Sequence, residues 1–431
     1  MSYFWGFEIF LIILVGTSAL LSLVIILRQL IFSIGANLLP GSKKVSITVR
    51  ESMCKLPSVT ILIPAHNEQD VLHGSLQCMS SLDYPRNRLN ILVINDRSSD
   101  KTGQIADSFA EQYEFINVLH RKTGDKPGKP AALQHAIQQV KSEIIVLFDA
   151  DYLPSSDLLL KLIAPFEDPG IGAVMGRVVP YNADTNLLTM LLDLERRGGY
   201  AVDLQMRQHW NLLPQFGGTC GAIRVASLEQ VGGWSEGVLA EDTDLTYRLF
   251  LNSLNVAYLN KATCYEEVPE DWQTRYKQVW RWAYGHNECL FKYLFSTLFT
   301  SKRRLLQRLD ASLILLFYLF PVLSFFAIPA SLVLPLISET EFTTAYLILF
   351  FSLFIGLGNL STFFQVAVAS KIDNQTNVLR YAPLMLFSSI ITMVASVHAV
   401  GRLMSDKISG GNVKWTKTKR FRISKQTEKY K

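Results

Sequence analysis

The sequence of 431 residues has few cysteines, and none of them stands in a C-x-x-C pair. The five occur singly, as Cys54, Cys78, Cys220, Cys264 and Cys289. This spacing argues against a zinc-thiolate site and against a disulfide framework. It agrees with a chain whose soluble part works in a reducing compartment.

Four long segments are almost without charge, and each is near or above the roughly 20 residues that a helix needs to cross a membrane. They are Tyr3–Phe32, Leu313–Ile337, Phe342–Ala369 and Pro383–Met404. Because so few charges lie within these segments, nothing marks an ion path, which disfavours a transporter. Residues from about 50 to 300 have a soluble composition with many turn signals.

These segments divide the chain into four parts. We predict an N-terminal transmembrane anchor (residues 1–35), a large soluble domain (50–300), an interfacial helix with a bundle of about three spans (301–405), and a basic tail (406–431). Membrane lipids are therefore expected partners. The expected location is the cell membrane, which the chain crosses several times.

No lysine or arginine precedes the first apolar segment, whereas Arg28, Lys43 and Lys44 follow it. A cleaved signal peptide is the alternative, but the basic beginning and the small-residue cleavage site are missing, and the apolar stretch is too long. Because positive charge stays in the cytoplasm, the soluble domain is predicted to be cytoplasmic.

A large excess of charge of one sign is also missing. The net charge is +5, and much of the excess lies between Lys414 and Lys431. So small a charge does not indicate a nucleic-acid partner, and the basic run is either a solvated tail or a segment that lies on anionic lipid.

Three C-terminal spans would place this tail outside, against the charge rule. Either one apolar segment is interfacial, or Leu313–Ile337 is broken at its prolines.

Short β-branched runs in the soluble region alternate with helical patterns. The predicted strands are Val59–Pro64, Leu89–Asn95 and Glu143–Phe148, with a further candidate at Ala173–Val179. The predicted helices are Asp70–Ser81, Thr102–Gln112 and Ala131–Lys141. Unbroken apolar runs are typical of strands buried on both faces. Their alternation with helices indicates an α/β fold with a parallel sheet.

Acidic residues follow each of the three strands. Glu68 follows the first, Asp96 ends the second, and Asp149 and Asp151 follow the third. Ligands of open α/β sheets bind outside the carboxyl ends of the strands, so these acids are expected to face one crevice. Unpaired carboxylates at one place repel each other, and a bound cation would offset the repulsion.

Asp149 and Asp151 are two residues apart, so their side chains point to the same side of an extended chain. Such a pair can hold Mg²⁺ or Mn²⁺, whose coordination substrate phosphates complete. The metal would neutralise charge on a departing diphosphate. The alternative is a plain acidic turn after a strand.

Asp96 and Glu68 are interpreted as nucleotide ligands, since an acid at a strand end can accept hydrogen bonds from a base or a ribose. The alternative for both is a turn or helix cap, a role that we assign to Asp100. The loop from Gly124 to Leu133, which contains Lys129, suits an anion at a helix N-terminus. It is not a Walker A loop, because the G-K-[ST] order is missing, and a plain basic surface loop is its alternative.

Glu241 and Asp242 are predicted to open a helix, a position that acids favour through the helix dipole alone. The functional interpretation makes Asp242 a general base for an acceptor hydroxyl. Asp244 is interpreted as a surface residue of that helix.

Gln278, Arg281 and Trp282 lie on one face of a further predicted helix. Arginine binds phosphate oxygens in bidentate fashion, and tryptophan offers a flat apolar surface to a sugar ring. An amphipathic interfacial helix is the alternative, and the two interpretations are compatible.

In this order, the motifs resemble those of the family 2 glycosyltransferases with a membrane bundle, which include cellulose, hyaluronan and poly-N-acetylglucosamine synthases. The resemblance covers about residues 55–300. Asp96, the D-x-D at 149–151, the E-D pair at 241–242 and the Q-x-x-R-W at 278–282 carry it. The ordered set is far more specific than any one motif.

The resemblance implies a GT-A fold, a Rossmann-like and mostly parallel α/β domain inserted between transmembrane helices. It implies a UDP-sugar donor, with Asp151 on a divalent metal and Asp242 as the base next to Glu241. The expected donor site comprises Glu68, Asp96, Lys129, Asp149 and Arg281. The expected acceptor site comprises Gln278, Trp282, Gly218 and Thr219.

Two departures from the family pattern stand out. The family's T-E-D is Ala240-Glu241-Asp242 here, which removes a hydroxyl but keeps the base. The glycine-serine type of acceptor loop is Gly218-Thr219-Cys220.

We therefore expect a membrane-bound, inverting hexosyltransferase that extends a polysaccharide processively, with a glycan acceptor and with accessory membrane subunits as partners. Transfer of a single sugar to a lipid carrier is the alternative enzyme. A catalytically inactive membrane scaffold is the alternative outside enzymology.

Overall fold

The structure is a computed structural model that describes residues 2–39, 56–337, 349, 351, 356–411 and 419–421. Residues 342–348, 350 and 352–355 of the apolar segment Phe342–Ala369 lie outside the described residues, as does most of the basic tail.

One sheet of eight strands forms the centre of the soluble domain, in the order β3-β2-β1-β4-β7-β6-β8-β5. β1, β2, β3 and β4 are parallel, β6 and β8 are parallel to each other, and β7 and β5 run the opposite way. The mostly parallel sheet is therefore confirmed. The strands are Val59–Ala65, Leu89–Asp96, Ile116–Arg121, Ile144–Leu147, Leu153–Pro154, Ile171–Pro180, Gly221–Arg224 and Asn255–Glu266, numbered β1 to β8.

The predicted strands lie in the middle of this sheet. β1, β2 and β4 are almost wholly buried, because helices cover both faces of the sheet. β3 was missing from the prediction. It is an edge strand in which only the first and last residues, Ile116 and Arg121, are buried, and its sequence contains no continuous apolar run.

Helices cover the sheet and continue toward the membrane region. Those within residues 2–251 are Ser2–Leu38, Leu72–Ser80, Thr102–Gln112, Lys129–Ala136, Leu158–Ile163, Leu187–Arg197, Gln205–His209, Val225–Gln230 and Glu241–Leu251, numbered α1 to α9. A π-helix, Gly198–Leu204, joins α6 to α7. Those beyond are Trp272–Phe299, Leu305–Leu315, Leu319–Ile337, Gly358–Ile372 and Met385–Ser409, numbered α10 to α14, with a 3₁₀ helix, Thr376–Leu384, before the last.

Within the described residues, three helical segments are long and apolar enough to cross a membrane: Trp5–Leu38, Leu319–Ile337 and Thr376–Ser409. The prolines do not break the second of these. Pro329 and Pro335 lie inside α12, and the chain instead turns at residues 316–318, before Pro321.

Buried ion pairs attach the soluble domain to these helices. Arg28 of α1 donates to Asp203 and Asp310, each at 2.7 Å. Asp373, which follows α13, accepts from Arg177 of β6 at 2.6 and 2.8 Å and from Arg197 of α6 at 3.0 Å. Because the partners are far apart in sequence, these pairs fix the sheet against the apolar helices.

Candidate active site

The ends of several strands meet at one edge of the sheet. β1, β2 and β4 are parallel and adjacent, so Glu68, Asp96 and Asp149 follow them on the same side. β7 runs antiparallel to β4, so the residues that precede it, Gly218 and Thr219, reach this edge as well. The crevice predicted from the strand ends is therefore present.

Lys129 connects three parts of this crevice. Its Nζ lies 2.8 Å from Oδ1 of Asp149, 3.0 Å from the carbonyl oxygen of Gly218 and 3.6 Å from Oε1 of Glu241. Burial alone would lower the pKa of Lys129, but the carboxylates of Asp149 and Glu241 raise it above its ordinary value. The ammonium is therefore charged at neutral pH and holds the strand-end acid Asp149 next to Glu241, the first residue of α9.

Gly218 and Thr219, which were predicted to contact the acceptor, lie directly against the acids of the crevice. The hydroxyl of Thr219 accepts from the backbone N–H of Asp149 at 3.1 Å. Gly218 has φ of +69°, and a Cβ at this position would lie 3.0 Å from Cβ of Asp242. A side chain here would be strained and would crowd Asp242.

Asp151 and Glu68 face each other across a cation that the sequence did not predict. The guanidinium of Arg420 lies 2.8 Å from Oδ2 of Asp151 and 3.2 Å from Oε2 of Glu68. Burial raises the pKa of Asp151 to about 7, although Arg420 acts in the opposite direction. An acid in this environment favours a nearby positive charge.

The residues fit a divalent cation with donor phosphates. Oδ1 of Asp151 is buried and has no hydrogen-bond partner within the residues that the structure describes, and Asp149 stands two residues before it. Among the described residues no group of three side chains is arranged to hold a metal on its own. One or two carboxylates completed by phosphate oxygens is the usual arrangement for Mg²⁺.

Asp96 is held by basic groups at the end of β2. Arg121 of β3 donates to it at 2.7 Å, Arg97 donates at 2.9 Å, and the N–H of Gly128 lies 3.4 Å from Oδ2. Arg121 also donates to the carbonyl of Lys126 at 2.8 Å. Asp96 thus connects the strand end to the loop before Lys129. The neighbouring Asp100 has the capping role assigned to it, since it accepts from the N–H of Thr102 at 2.9 Å.

Glu241 and Asp242 open α9, as predicted, and both are partly buried. Burial raises the pKa of Glu241 to about 6, with Lys129 opposing and Asp242 adding to the shift. Burial likewise raises the pKa of Asp242, against the N–H of Thr243, which donates to its Oδ1 at 2.6 Å. Both acids therefore hold a proton more readily than exposed carboxyls do.

Arg281 of α10 lies within electrostatic reach of these acids. Burial lowers the pKa of Arg281, and the charges of Glu241, Asp149 and Asp242 oppose this shift. Asp149 after β4, the acids of α9 that were predicted to be catalytic and Arg281 of α10 are thus gathered at one place.

Gln278 and Trp282 belong to a neighbouring cluster on the same helix. Arg275 donates to Oε1 of Gln278 at 3.0 Å, and its guanidinium lies 5.3 Å from the centre of the Trp282 ring. Arg196 approaches that ring at 5.6 Å. Glu195 fixes Arg275 through two hydrogen bonds of 2.7 and 2.8 Å. The ring is therefore held by two cations.

One interpretation from the sequence was wrong. Asp244 is fully buried rather than a surface residue. It accepts from Ser235, Arg248, Lys292 and Tyr293 at 2.6 to 2.8 Å. Its position one turn into a helix gave no sign of this, because two of its partners, Lys292 and Tyr293, lie 48 and 49 residues further along the chain.

Further residues at this edge were also missing from the prediction. Tyr152 donates to Glu266 at 2.8 Å, and Arg196 lies 2.8 Å from the same carboxylate. Glu266 ends β8, a strand that the sequence analysis did not identify. The charge of Glu266 also acts on Asp151, so it belongs to the same acidic group.

Comparisons with known proteins agree with this arrangement. Residues 57–285 match the glycosyltransferase-like family 2. A probable glycosyltransferase, YdaM of Bacillus subtilis, is 36% identical over 257 residues, which cover 59% of this chain and 61% of that protein. The beta-monoglucosyldiacylglycerol synthase of Trichormus variabilis is 32% identical over 243 residues, 55% of this chain and 50% of that protein. The match thus spans about half to three fifths of the length of these relatives.

The fold has a counterpart among solved structures. The mannosyltransferase PcManGT from Pyrobaculum calidifontis, solved with GDP-Man and Mn²⁺, has a TM-score of 0.59 at 20% identity. The likeness covers 91% of this chain and 99% of that one. It identifies the sheet and its helices as a GT-A fold. With more than half of its residues matching the family model, this chain belongs to the glycosyltransferase-like family 2.

Proposed function

We propose that the chain transfers a hexose from a UDP-sugar, with inversion, to an acceptor at the cytoplasmic face of the membrane. One observation carries the proposal: Lys129 joins Asp149 to Glu241 at the edge where the strands end, next to Asp242 and Arg281. The proposed donor ligand Asp149 therefore lies near Asp242 of α9, which we propose as the base. A scaffold without activity would have no need for so many buried charges.

Asp242 is the proposed base. Its carboxylate takes the proton of an acceptor hydroxyl, whose oxygen attacks the anomeric carbon from the face opposite UDP. The new C–O bond forms as the bond from the sugar to the diphosphate breaks, and UDP leaves. Glu241 and Lys129 set the charge around Asp242, and Gly218 leaves room beside it.

The donor would lie along the strand ends. Asp96 and Glu68 are proposed to face the nucleotide, while Lys129 and Arg281 supply positive charge for the diphosphate. Asp151, with Asp149, would hold Mg²⁺ or Mn²⁺, which when bound neutralises charge on the leaving diphosphate. Each acid has a basic neighbour at 2.8 Å, Lys129 for Asp149 and Arg420 for Asp151. Asp151 is the stronger of the two candidates, because its buried Oδ1 has no hydrogen-bond partner among the described residues.

The proposed acceptor is a growing polysaccharide. The support is the Trp282 ring, which two arginines hold in place, and Gln278 on the same helix, which leads through α11 to α12. A sugar ring can stack on such a surface. Gly218 and Thr219 would bound the acceptor from the opposite side.

A lipid is the second candidate acceptor. The relatives named beta-monoglucosyldiacylglycerol synthases support it. So does the outer face of α10, where Phe295 and Phe299 are 71% and 76% exposed, and the start of α11, where Leu306 is 64% exposed. Apolar side chains this exposed at the junction with apolar helices suit a lipid surface.

We further propose that α14 lies along the membrane surface rather than across it. Asp373 and Gln375, shortly before it, bond to arginines of the soluble domain. At its other end, Asp406 accepts from Tyr284 of α10 at 3.1 Å. Because both ends are tied to the same domain, this arrangement supports the interfacial alternative. It also leaves the basic tail on the cytoplasmic side, as the charge rule requires.

The first test replaces the base. Asp242→Asn should reduce sugar transfer at least a hundredfold, the usual contribution of a general base, while the affinity for UDP stays within about twofold. UDP release and UDP affinity would be measured on the purified full chain in nanodiscs. The control is Asp107→Asn, a half-exposed acid on α3 away from the crevice. Transfer by Asp242→Asn at the wild-type rate would exclude Asp242 as the base.

The second test identifies the acceptor. The full chain in lipid nanodiscs is incubated with radiolabelled UDP-sugars, and the products are sized. A ladder or a long polymer supports the polysaccharide, and a single adduct soluble in organic solvent supports the lipid. Release of UDP without either labelled product would contradict the proposed activity.

A further inference from the structure

The region proposed for the metal contains a side chain from a distant part of the sequence. Nη1 of Arg420 lies 2.8 Å from Oδ2 of Asp151, and its Nε and Nη2 lie 3.2 and 3.4 Å from the two oxygens of Glu68. The separation in sequence is 269 residues from Asp151 and 352 from Glu68. The contact is therefore not a local feature of the strand ends.

The segment has a second attachment beside the first. The backbone N–H of Phe421 donates to Oε2 of Glu267 at 3.2 Å, and the ammonium of Lys419 lies 5.0 Å from the centre of the Phe421 ring. Glu267 follows directly on β8, whose end lies at the same edge of the sheet. Residues 419–421, which we call the plug, thus contact two parts of the crevice.

The acids that meet the plug need a positive charge. Asp151, Glu68 and Glu267 are each less than 8% exposed. Like charges so close together in a buried place repel each other strongly. The guanidinium of Arg420 relieves this repulsion, and the acids in turn raise the pKa of Arg420 above its ordinary value.

The plug forms only part of the hydrogen bonds that the oxygens of these acids can accept. Arg420 bonds to one oxygen of Asp151, and the other, buried oxygen has no hydrogen-bond partner in the described part of the chain. A divalent cation carries twice the charge and can use that oxygen. In the sequence, residues 410–418 tether the plug to the end of α14 at Ser409.

We propose that the plug is a built-in competitor of the metal-bound donor, with the guanidinium of Arg420 in the place of the divalent cation. The inference rests on the proposed function, because it requires that Asp151 binds the metal. Binding of the metal and the diphosphate then requires that Arg420 leaves. The tether keeps the competitor at a high effective concentration, so the enzyme responds only above a threshold of metal and donor.

The test compares metal binding, without donor, by the full chain in nanodiscs. Calorimetry with MnCl₂ would measure the dissociation constant for wild type, Arg420→Ala and Lys302→Ala. If the plug occupies the site about nine-tenths of the time, its loss should tighten Mn²⁺ binding about tenfold. Lys302→Ala removes the same charge from an exposed residue outside the plug and should leave the constant unchanged. Equal or weaker Mn²⁺ binding by Arg420→Ala would overturn the proposal.

A second measurement separates the plug from a ligand of the donor. UDP release is followed as Mn²⁺ is raised. A competitor predicts that Arg420→Ala is faster at low Mn²⁺ and equals wild type at saturation. A slower variant at every concentration would instead show that Arg420 binds the donor, and would overturn the plug. If Asp151→Ala binds Mn²⁺ as wild type does, the metal assignment within the proposed function fails, whatever Arg420 does.

Discussion

The acids of α9 show how burial changes the chemistry of single residues. Glu241 and Asp242 are adjacent, and both have a raised pKa because they are removed from water. Lys129, at 3.6 Å from Glu241, limits the increase. Two acids that interact this closely titrate as a pair, so their pKa values belong to the pair rather than to one residue.

The pH dependence of transfer should report this pair. A base must be ionised to accept a proton, so an acid whose pKa is raised loses this ability at a higher pH than usual. We expect kcat/KM to be constant above about pH 7 and to fall as the pH drops through about 6, the pKa of Glu241. An exposed aspartate would give a fall near pH 4.

The measurement is kcat/KM from pH 5 to 8 at saturating Mn²⁺. Tryptophan fluorescence over the same range serves as the control, since it shows that the chain stays folded. A profile that is flat down to pH 5 would contradict the raised pKa of the pair.

At the residue scale, sequence reasoning found the acids but not their partners. Asp96, Asp149 and Asp242 are recognisable because they follow strands or open a helix. Arg121 and Arg420 were not, since nothing in their local sequence records which carboxylate they meet. Contacts over 25 and 269 residues depend on the completed fold.

At the scale of elements, the central strands and the helices between them were predictable, because their apolar runs are continuous. β3 was missed because it is an edge strand and is only partly buried, so its sequence is not continuously apolar. β7 was missed because it has only four residues, too few to give a clear pattern. The direction of β7 places Gly218 beside Asp242, and no periodicity in the sequence indicates that direction.

A glycine allows α10 to approach the beginning of α9. A Cβ on Gly285 would lie 2.6 Å from the backbone nitrogen of Ala240 and 2.8 Å from its Cβ. Real atoms do not approach this closely, so either α10 or the residue before Glu241 would have to move. The space at Gly285 therefore helps to position the proposed base.

We expect Gly285→Ala to lower kcat about tenfold or more, because Asp242 is displaced, and to destabilise the fold by about 1–3 kcal/mol. Steady-state kinetics and thermal unfolding in detergent would measure the two effects. Gly401→Ala on α14 is the matched control, since a Cβ there meets nothing within 4 Å. Equal behaviour of the two variants would show that the close approach at Gly285 has no consequence.

At the scale of the whole molecule, Asp373 joins the sheet to the apolar helices. It lies between Arg177 and Arg197, and all three side chains are at most 12% exposed. Removal of one member of a buried ion pair leaves the others without compensation. The division into a soluble domain and apolar helices was predictable from composition, but this joint was not.

Asp373→Asn should destabilise the folded chain by about 3 kcal/mol, the lower end of the range for buried pairs. The midpoint of thermal unfolding in detergent should fall by roughly 5–10 °C. Asp157→Asn is the control, because its pair with Lys161 lies within one helical turn and is half-exposed. A similar midpoint for the two variants would contradict a structural role for Asp373.

Two of the four hydrogen bonds to Asp244 have a mechanical consequence. They come from Lys292 and Tyr293 of α10 and fasten it to α9, so the helix that begins with Glu241 and the helix that carries Arg281 are expected to move together. The two helices are therefore not expected to separate from each other when a nucleotide enters. Entry and exit of the donor should depend instead on the segments next to these helices, and the rate of turnover is expected to follow the motion of those segments.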